Sequence, residues 1–162
     1  MAVTVPRPTA PVRLAAEAWE ALFRAQVTVM RRLAADDIWG EVSMREYDVL
    51  FQLAQAPGRA LRIRELNEHI LLSQPSLSRL VERLEGRGLV ARCQAPGDGR
   101  GVLVRLTEPG SELQREVGRR HVATIRRVVG AALAEDELRL LTDLCTRLRQ
   151  AQADLPEEED PT

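Results

Sequence analysis

Leu77, Leu80, Val81 and Leu84 stand at positions i, i+3, i+4 and i+7, which on a helix make one apolar stripe. Ser73-Gln74-Pro75-Ser76 precedes the stripe and Gly86-Arg87-Gly88 follows it. Serine is a favoured N-cap, and proline is tolerated in a first turn whose N–H groups lack intrahelical partners. Glycine commonly ends a helix because it adopts the left-handed conformation freely. The stripe therefore predicts a short helix bounded on both sides. With the leucines inward, Gln74, Ser76, Ser78, Arg79, Glu82 and Arg83 fall on the flanks or outside.

The neighbouring segments narrow the fold. Residues 62–70 read as another short helix with Ile63, Leu66 and Ile70 inward. After the stripe, Leu89 to Gln94 predicts a strand, Pro96-Gly97-Asp98-Gly99-Arg100-Gly101 a turn, and Val102 to Leu106 the returning strand. Upstream, Ser43 and Glu46 form the S-x-x-E pattern of a capping box. The helix they open buries Tyr47, Leu50, Phe51 and Leu53 or Ala54, and stops before Pro57-Gly58. A longer helix over 13–37 places Leu14, Ala18, Leu22, Val29 and Leu33 at helical spacing, with Trp19, Phe23 and Met30 beside them. Asp36, Asp37 and Gly40 punctuate its end. Thr107 is placed to cap a helix over residues 108–129, and a last helix over 135–151 aligns Leu138, Leu141, Leu144, Cys145 and Leu148. The expected fold class is mainly α with a small β-hairpin wing. It is a winged helix-turn-helix core, residues 43–106, flanked by N- and C-terminal dimerisation helices, residues 13–42 and 107–151. Residues 1–12, interrupted by Pro6, Pro8 and Pro11, are expected to be a mobile arm, and residues 152–162 an acidic disordered tail.

The net charge of −1 hides an uneven distribution. Residues 59–105 hold nine arginines against five acids, and residues 134–162 hold nine acids against three arginines. All 23 basic residues are arginine, which supplies forked donors suited to phosphate and to guanine edges. No apolar run approaches the roughly 18 residues that span a bilayer, and the N-terminus lacks the apolar core of a secretory signal. A cytoplasmic location with no membrane partner is the expectation. Cys93, Cys145 and the two histidines show no metal-ligand spacing, so neither metal nor cofactor is expected. His69 and His121 accompany no nucleophile on a Gly-rich elbow, which argues against an enzyme.

A basic short helix with a polar N-terminus has a specific use. In a helix-turn-helix the second helix lies in the major groove with its first residues at base edges. Gln74 can bond adenine in a bidentate manner, and Arg79 can reach guanine O6 and N7. Arg100, flanked by glycines at the hairpin tip, suits a narrow minor groove, and Asp98 is placed to hold its guanidinium extended. Arg62, Ser73, Pro75, Ser76, Ser78 and Arg83 complete the candidate contacts with double-stranded DNA. A protein-interaction module built on the same fold is the alternative, but it would favour an apolar or acidic outward face.

Three stretches carry a resemblance to a known family: LSQPSLSRLVERLEGRGLV, PGDGRGVLVRLTEPG and SMREYDVLFQLAQAPG. Residues 13–150 resemble the MarR family of winged-helix transcription regulators. The resemblance implies a homodimer with interlocking terminal helices, each subunit offering one winged helix to a palindromic operator, most often as a repressor. By it, Gln74, Ser76, Ser78 and Arg79 fall on the recognition helix, and Asp98 and Arg100 on the wing's Asp-x-Arg. Asn67 stands where the family usually has Ala or Gly, and Gly99 where it usually has a bulkier residue. Apart from the resemblance, the apolar faces of the terminal helices would leave a sizeable patch exposed on a monomer, which a symmetric dimer would bury.

Family members often bind small aromatic or phenolic acids between the dimer helices and the winged helix. Trp19, Phe23, Met30, Trp39 and Tyr47 are candidates to line such a pocket, with Arg92 for a carboxylate. The competing reading makes these aromatics ordinary core and Arg92 a phosphate contact. Peroxide-sensing relatives carry a cysteine near the start of the first helix; residues 13–37 have none, so that mechanism does not transfer.

Overall fold

A computed structural model describes residues 10–70, 72–95 and 98–153, with backbone alone at 95, 98–101 and 153. Of the expected arm, residues 1–12, and acidic tail, residues 152–162, those up to 9 and from 154 lie outside the described residues, while Val12, Gln152 and Ala153 are helical. The elements are α1 (Val12–Ala34), α2 (Met44–Gln55), β1 (Ala60–Arg62), α3 (Ile63–His69), α4 (Gln74–Gly86), β2 (Val90–Ala95), β3 (Asp98–Leu106), α5 (Glu108–Val128) and α6 (Glu135–Ala153). The chain divides into two compact units, residues 1–124 and 125–162.

The first unit is a winged helix. Its core joins Leu50 and Leu53 of α2, Leu66 of α3, Leu77, Val81 and Leu84 of α4, Val90 of β2 and Val104 of β3, all withdrawn from water. The four-residue stripe of α4 is thus buried as the sequence requires, with Leu80 only 3% exposed. Helix α4 packs on α3, α2 and β2, so the stripe touches each layer of the core.

Local chemistry sets the boundaries. The Ser43 N–H donates to Glu46 Oε2 at 2.8 Å, and the Glu46 N–H donates to Ser43 Oγ at 3.3 Å, completing the expected capping box. Ser73 occupies the N-cap of α4 but departs from the expected role. Its hydroxyl donates to Ser76 Oγ at 2.9 Å and caps no backbone N–H. At the other end, the Gly88 N–H donates to Glu85 O and the Leu89 N–H to Leu84 O. Gly88 has φ +69°, and this paired closure is a Schellman motif that turns the chain into β2.

The sheet order is β1-β3-β2, antiparallel throughout. The third strand, β1, was not expected from sequence; Ala60 pairs with Arg105, Leu61 with Val104 and Arg62 with Leu103. The hairpin also differs. Regular pairing runs from Val90↔Leu106 to Gln94↔Val102 and then shifts register to Ala95↔Asp98, so β3 begins at Asp98, inside the expected turn, and residues 99–101 bulge between the two paired positions. The helices after the hairpin follow expectation, with α6 reaching Ala153.

Thr107 fixes how α5 leaves the sheet. Its hydroxyl lies 2.7 Å from Gly88 O and 2.9 Å from Leu89 O, and it accepts from the Gly110 N–H at 3.1 Å. The first turn of α5 therefore presses on the start of β2, and a Cβ on Gly110 would lie 2.0 Å from Leu89 O. Backbone cannot yield as a flexible side chain does. Gly110→Ala should lower stability by about 1–3 kcal/mol or more. By contrast, Gly86→Ala, where a Cβ meets nothing within 4 Å, should be neutral or stabilising by up to about 1 kcal/mol. Urea unfolding of the two variants checks the contrast.

Candidate nucleic-acid interface

Because the stripe faces inward, α4 presents the remaining side chains outward. Gln74, Pro75, Arg79, Glu82 and Arg83 are exposed, while Ser76 and Ser78 are half-buried. Among the described residues, the Gln74 amide and the Arg79 guanidinium make no hydrogen bond or ion pair within the protein. They sit in the first two turns of the helix and are free to meet an external partner. Ser73, exposed at the N-cap, borders the same surface.

Other predicted contacts are partly committed. Arg83 Nε and Arg87 Nη1 each approach Glu46 Oε1 at 3.9 Å, and Arg87 Nη2 donates to Glu41 O at 2.8 Å. Arg62 is half-buried at the β1–α3 junction, where its N–H donates to Glu65 Oε2 at 2.7 Å. Asp98 and Arg100 lie in the wing strand, but their side chains are outside the described residues.

The predicted pocket residues do not form one group. Trp19 and Phe23 stack on α1, with ring centroids 5.9 Å apart, and both are exposed, as is Met30. Trp39 and Tyr47 instead pack around His121 of α5, at 5.1 Å and 5.4 Å. Arg92 is engaged elsewhere: its backbone N–H and Nη1 both donate to the Glu85 carboxylate at 2.9 Å, tying β2 to α4.

Sequence reading missed the concave surface beside Tyr47. An open cavity of about 520 Å³ lies between α2 and α5, lined by Tyr47, Phe51, Arg115, Gly118, Arg119 and Val122. Gly118 leaves room for it, since a Cβ there would stand 3.1 Å from the Tyr47 hydroxyl. The Arg-x-x-x-Arg spacing of 115 and 119 on one helix face was a usable signal. Its meaning depends on α2 lying opposite.

His121 anchors the other side of Tyr47. Its Nδ1 is buried without a hydrogen-bond partner among the described residues, and Thr124 one turn on donates to Asp36 Oδ2 at 3.0 Å. Burial lowers the His121 pKa, only partly opposed by Asp48 and Asp36. Burial likewise raises the carboxyl of Asp48, which His121 opposes, and the Tyr47 phenol. The linkage signs differ. An unfolded histidine takes up a proton as pH falls through about 6.5, while the folded one resists until lower pH. The stability His121 confers is therefore full above the ordinary value and lost as pH falls into the window below it. Asp48, holding its proton to higher pH when folded, favours the fold in acid, and that advantage is lost as pH rises above the ordinary 3.8. His121→Gln should accordingly flatten the drop in melting temperature between about pH 7 and pH 5.5, read by thermal unfolding in matched buffers. An undiminished drop would contradict a buried neutral imidazole.

Two short helices joined by a tight turn, a three-stranded sheet ending in a hairpin, and a helix leaving over it define a winged helix-turn-helix protein. The sequence model of the MarR family matches residues 41–101. The HTH-type transcriptional regulator YdgJ of Bacillus subtilis (strain 168) is 31% identical over 85 residues, 52% of this chain. The chain spans about half the length of that curated relative, 51%. The structure of Sco3205, a MarR family transcriptional regulator from Streptomyces coelicolor in complex with DNA, superposes with a TM-score of 0.75 at 27% identity, covering 96% of this chain and 97% of that one. The PcaV transcriptional regulator of the same organism, in complex with its natural ligand, is 30% identical, with a TM-score of 0.61 over 93% of this chain and 99% of that one. The chain belongs to the MarR family of transcriptional regulators, a family of regulators and not of enzymes. No helix among the described residues is long and apolar enough to cross a membrane.

Proposed function

We propose that the protein is a homodimeric repressor that binds a palindromic operator through α4 and the wing, and that a small aromatic or phenolic anion releases it. The observation that carries the reading is the free pair Gln74 and Arg79 at the outward N-terminal half of a helix whose other face is buried. These are the side chains that read adenine and guanine in the major groove. The DNA complex of Sco3205 supports the same use of the fold here.

In this reading residues 43–106 are the DNA-binding part and the flanking helices make the dimer. On α6, Leu140, Leu141, Leu144 and Leu148 are 58%, 40%, 48% and 50% exposed in the single chain, and Leu14, Trp19 and Phe23 are exposed on α1. Apolar faces of this kind are covered by a partner in stable proteins, and a second copy gives the two-fold symmetry a palindrome requires. The double variant Leu144→Glu, Leu148→Glu should sediment as a monomer at micromolar concentration, where the wild type sediments as a dimer. A wild-type monomer would remove the palindromic reading.

Release is assigned to the cavity between α2 and α5. Aromatic rings of Tyr47 and Phe51 face two guanidinium groups there, which suits a planar body with a negative charge. The ligand complex of PcaV supports a small-molecule site in this fold.

Selection from a random DNA pool tests the core reading, with an inverted repeat as the expected result. On the selected site, Gln74→Ala, Arg79→Ala and Arg100→Ala should each cost about 1–3 kcal/mol, and the first two should also relax base preference. Affinity should fall steeply with salt. A flat salt dependence would instead favour a protein partner.

A further inference from the structure

One carboxylate connects the cavity to the turn that leads into the reading helices. Glu108, in the first turn of α5, meets two arginines. Its Oε1 accepts from Arg115 Nη2 at 3.0 Å, and its Oε2 accepts from Arg59 Nη1 at 3.4 Å. The hydroxyl of Ser111, a buried residue one turn on in the same helix, is shared in the same unequal way. It lies 2.8 Å from Arg115 Nη2 and 3.4 Å from Arg59 Nη1. Arg115 therefore holds the better part of both acceptors.

The two arginines stand in different places. Arg115 lines the cavity between α2 and α5. Arg59 stands in the turn between α2 and β1, where both Gly58 and Arg59 have left-handed backbone, φ +62° and +54°. A non-glycine residue there is held against its own preference. Residues 60–62 form β1 and α3 begins at the next residue, so Arg59 is joined through three residues of strand to the helix that packs on α4. Arg119, the other cation of the cavity, makes no ion pair among the described residues and needs no release to receive an anion.

We infer that Arg115 is an exchange residue: an anion in the cavity draws its guanidinium away, and Glu108 and Ser111 pass to Arg59, pulling the α2–β1 turn toward the start of α5. The inference rests on the effector reading of the cavity and states how occupancy reaches the DNA-binding helices. It follows from competition for a fixed set of acceptors. A carboxylate shared by two guanidinium groups binds the remaining one more tightly when the other leaves. Linkage then requires that whatever tightens Glu108 on Arg115 weakens the anion, and the reverse.

The signs make the inference testable with sodium benzoate as the probe. Glu108→Gln should raise benzoate affinity about two- to fivefold by freeing Arg115, the range expected from a half-exposed pair. Glu112→Gln, which removes a carboxylate from the same helix without touching Arg115, should change it less. Arg59→Ala should lower benzoate affinity by returning Glu108 to Arg115. If Glu108 merely positions Arg115 for the ligand, Glu108→Gln weakens binding, and that result overturns the exchange.

Hydrogen exchange of the amides of residues 59–62 supplies a readout that does not depend on the probe. Arg115→Ala without ligand should slow their exchange about two- to fivefold, and Arg119→Ala should not. Saturating benzoate should reproduce the slowing in the wild type but not in Arg59→Ala. Unchanged or faster exchange in Arg115→Ala overturns the exchange of partners. Absence of benzoate uptake by the wild type overturns the cavity reading, while the Arg115→Ala result still decides whether the two arginines compete.

Discussion

The withdrawal of Leu77, Leu80, Val81 and Leu84 from water is the constraint on which the rest of the winged helix depends. Each such side chain contributes about 1.5–3 kcal/mol when fully buried. Four on one face of a thirteen-residue helix leave only one rotation of that helix that satisfies them. The same rotation turns Gln74 and Arg79 outward, so the packing of the core and the orientation of the reading surface are one physical event. The Schellman closure at Gly88 and the Thr107 clamp on Leu89 then fix where β2, β3 and α5 go.

The distribution of arginines acquires meaning only when their partners are known. The basic middle of the chain suggests an undivided cationic surface, but its members have different tasks. Arg92 is held by Glu85, Arg87 by Glu41 and Glu46, and Arg59 by Glu108, whereas Arg79 is uncommitted. Half-exposed pairs of this kind add little to stability. They do decide which guanidinium groups remain available, and they place a shared carboxylate between a cavity and a turn.

Much of the fold was legible because helices and caps are written locally. The S-x-x-E box, the glycines after α4 and the alternation in β3 each depend on residues within a few positions of one another. Strand β1 was not legible. Ala60, Leu61 and Arg62 are too few to show alternation, and they become a strand only by pairing with residues 103–105. The wing boundary moved for a related reason: Asp98-Gly99-Arg100-Gly101 has the composition of a turn, yet Asp98 pairs with Ala95 across a shift of register and the segment joins β3. The predicted aromatic set split because Trp19 and Phe23 share a helix face, while Trp39 and Tyr47 are gathered by His121 from far along the chain.

The sequence by itself determined the helices, the hairpin, the inward face of α4 and therefore the side chains turned outward. These follow from periodicity and capping, which are short-range. Only the tertiary structure decided that α2 and α5 line an open cavity with Arg115 and Arg119, that Arg92 pairs with Glu85 of α4, and that Arg59 and Arg115 meet one carboxylate. Those facts join residues that lie far apart in the chain. Hydrophobic spacing states that a face must be buried, but not which distant segment will bury it or which charge will arrive beside it.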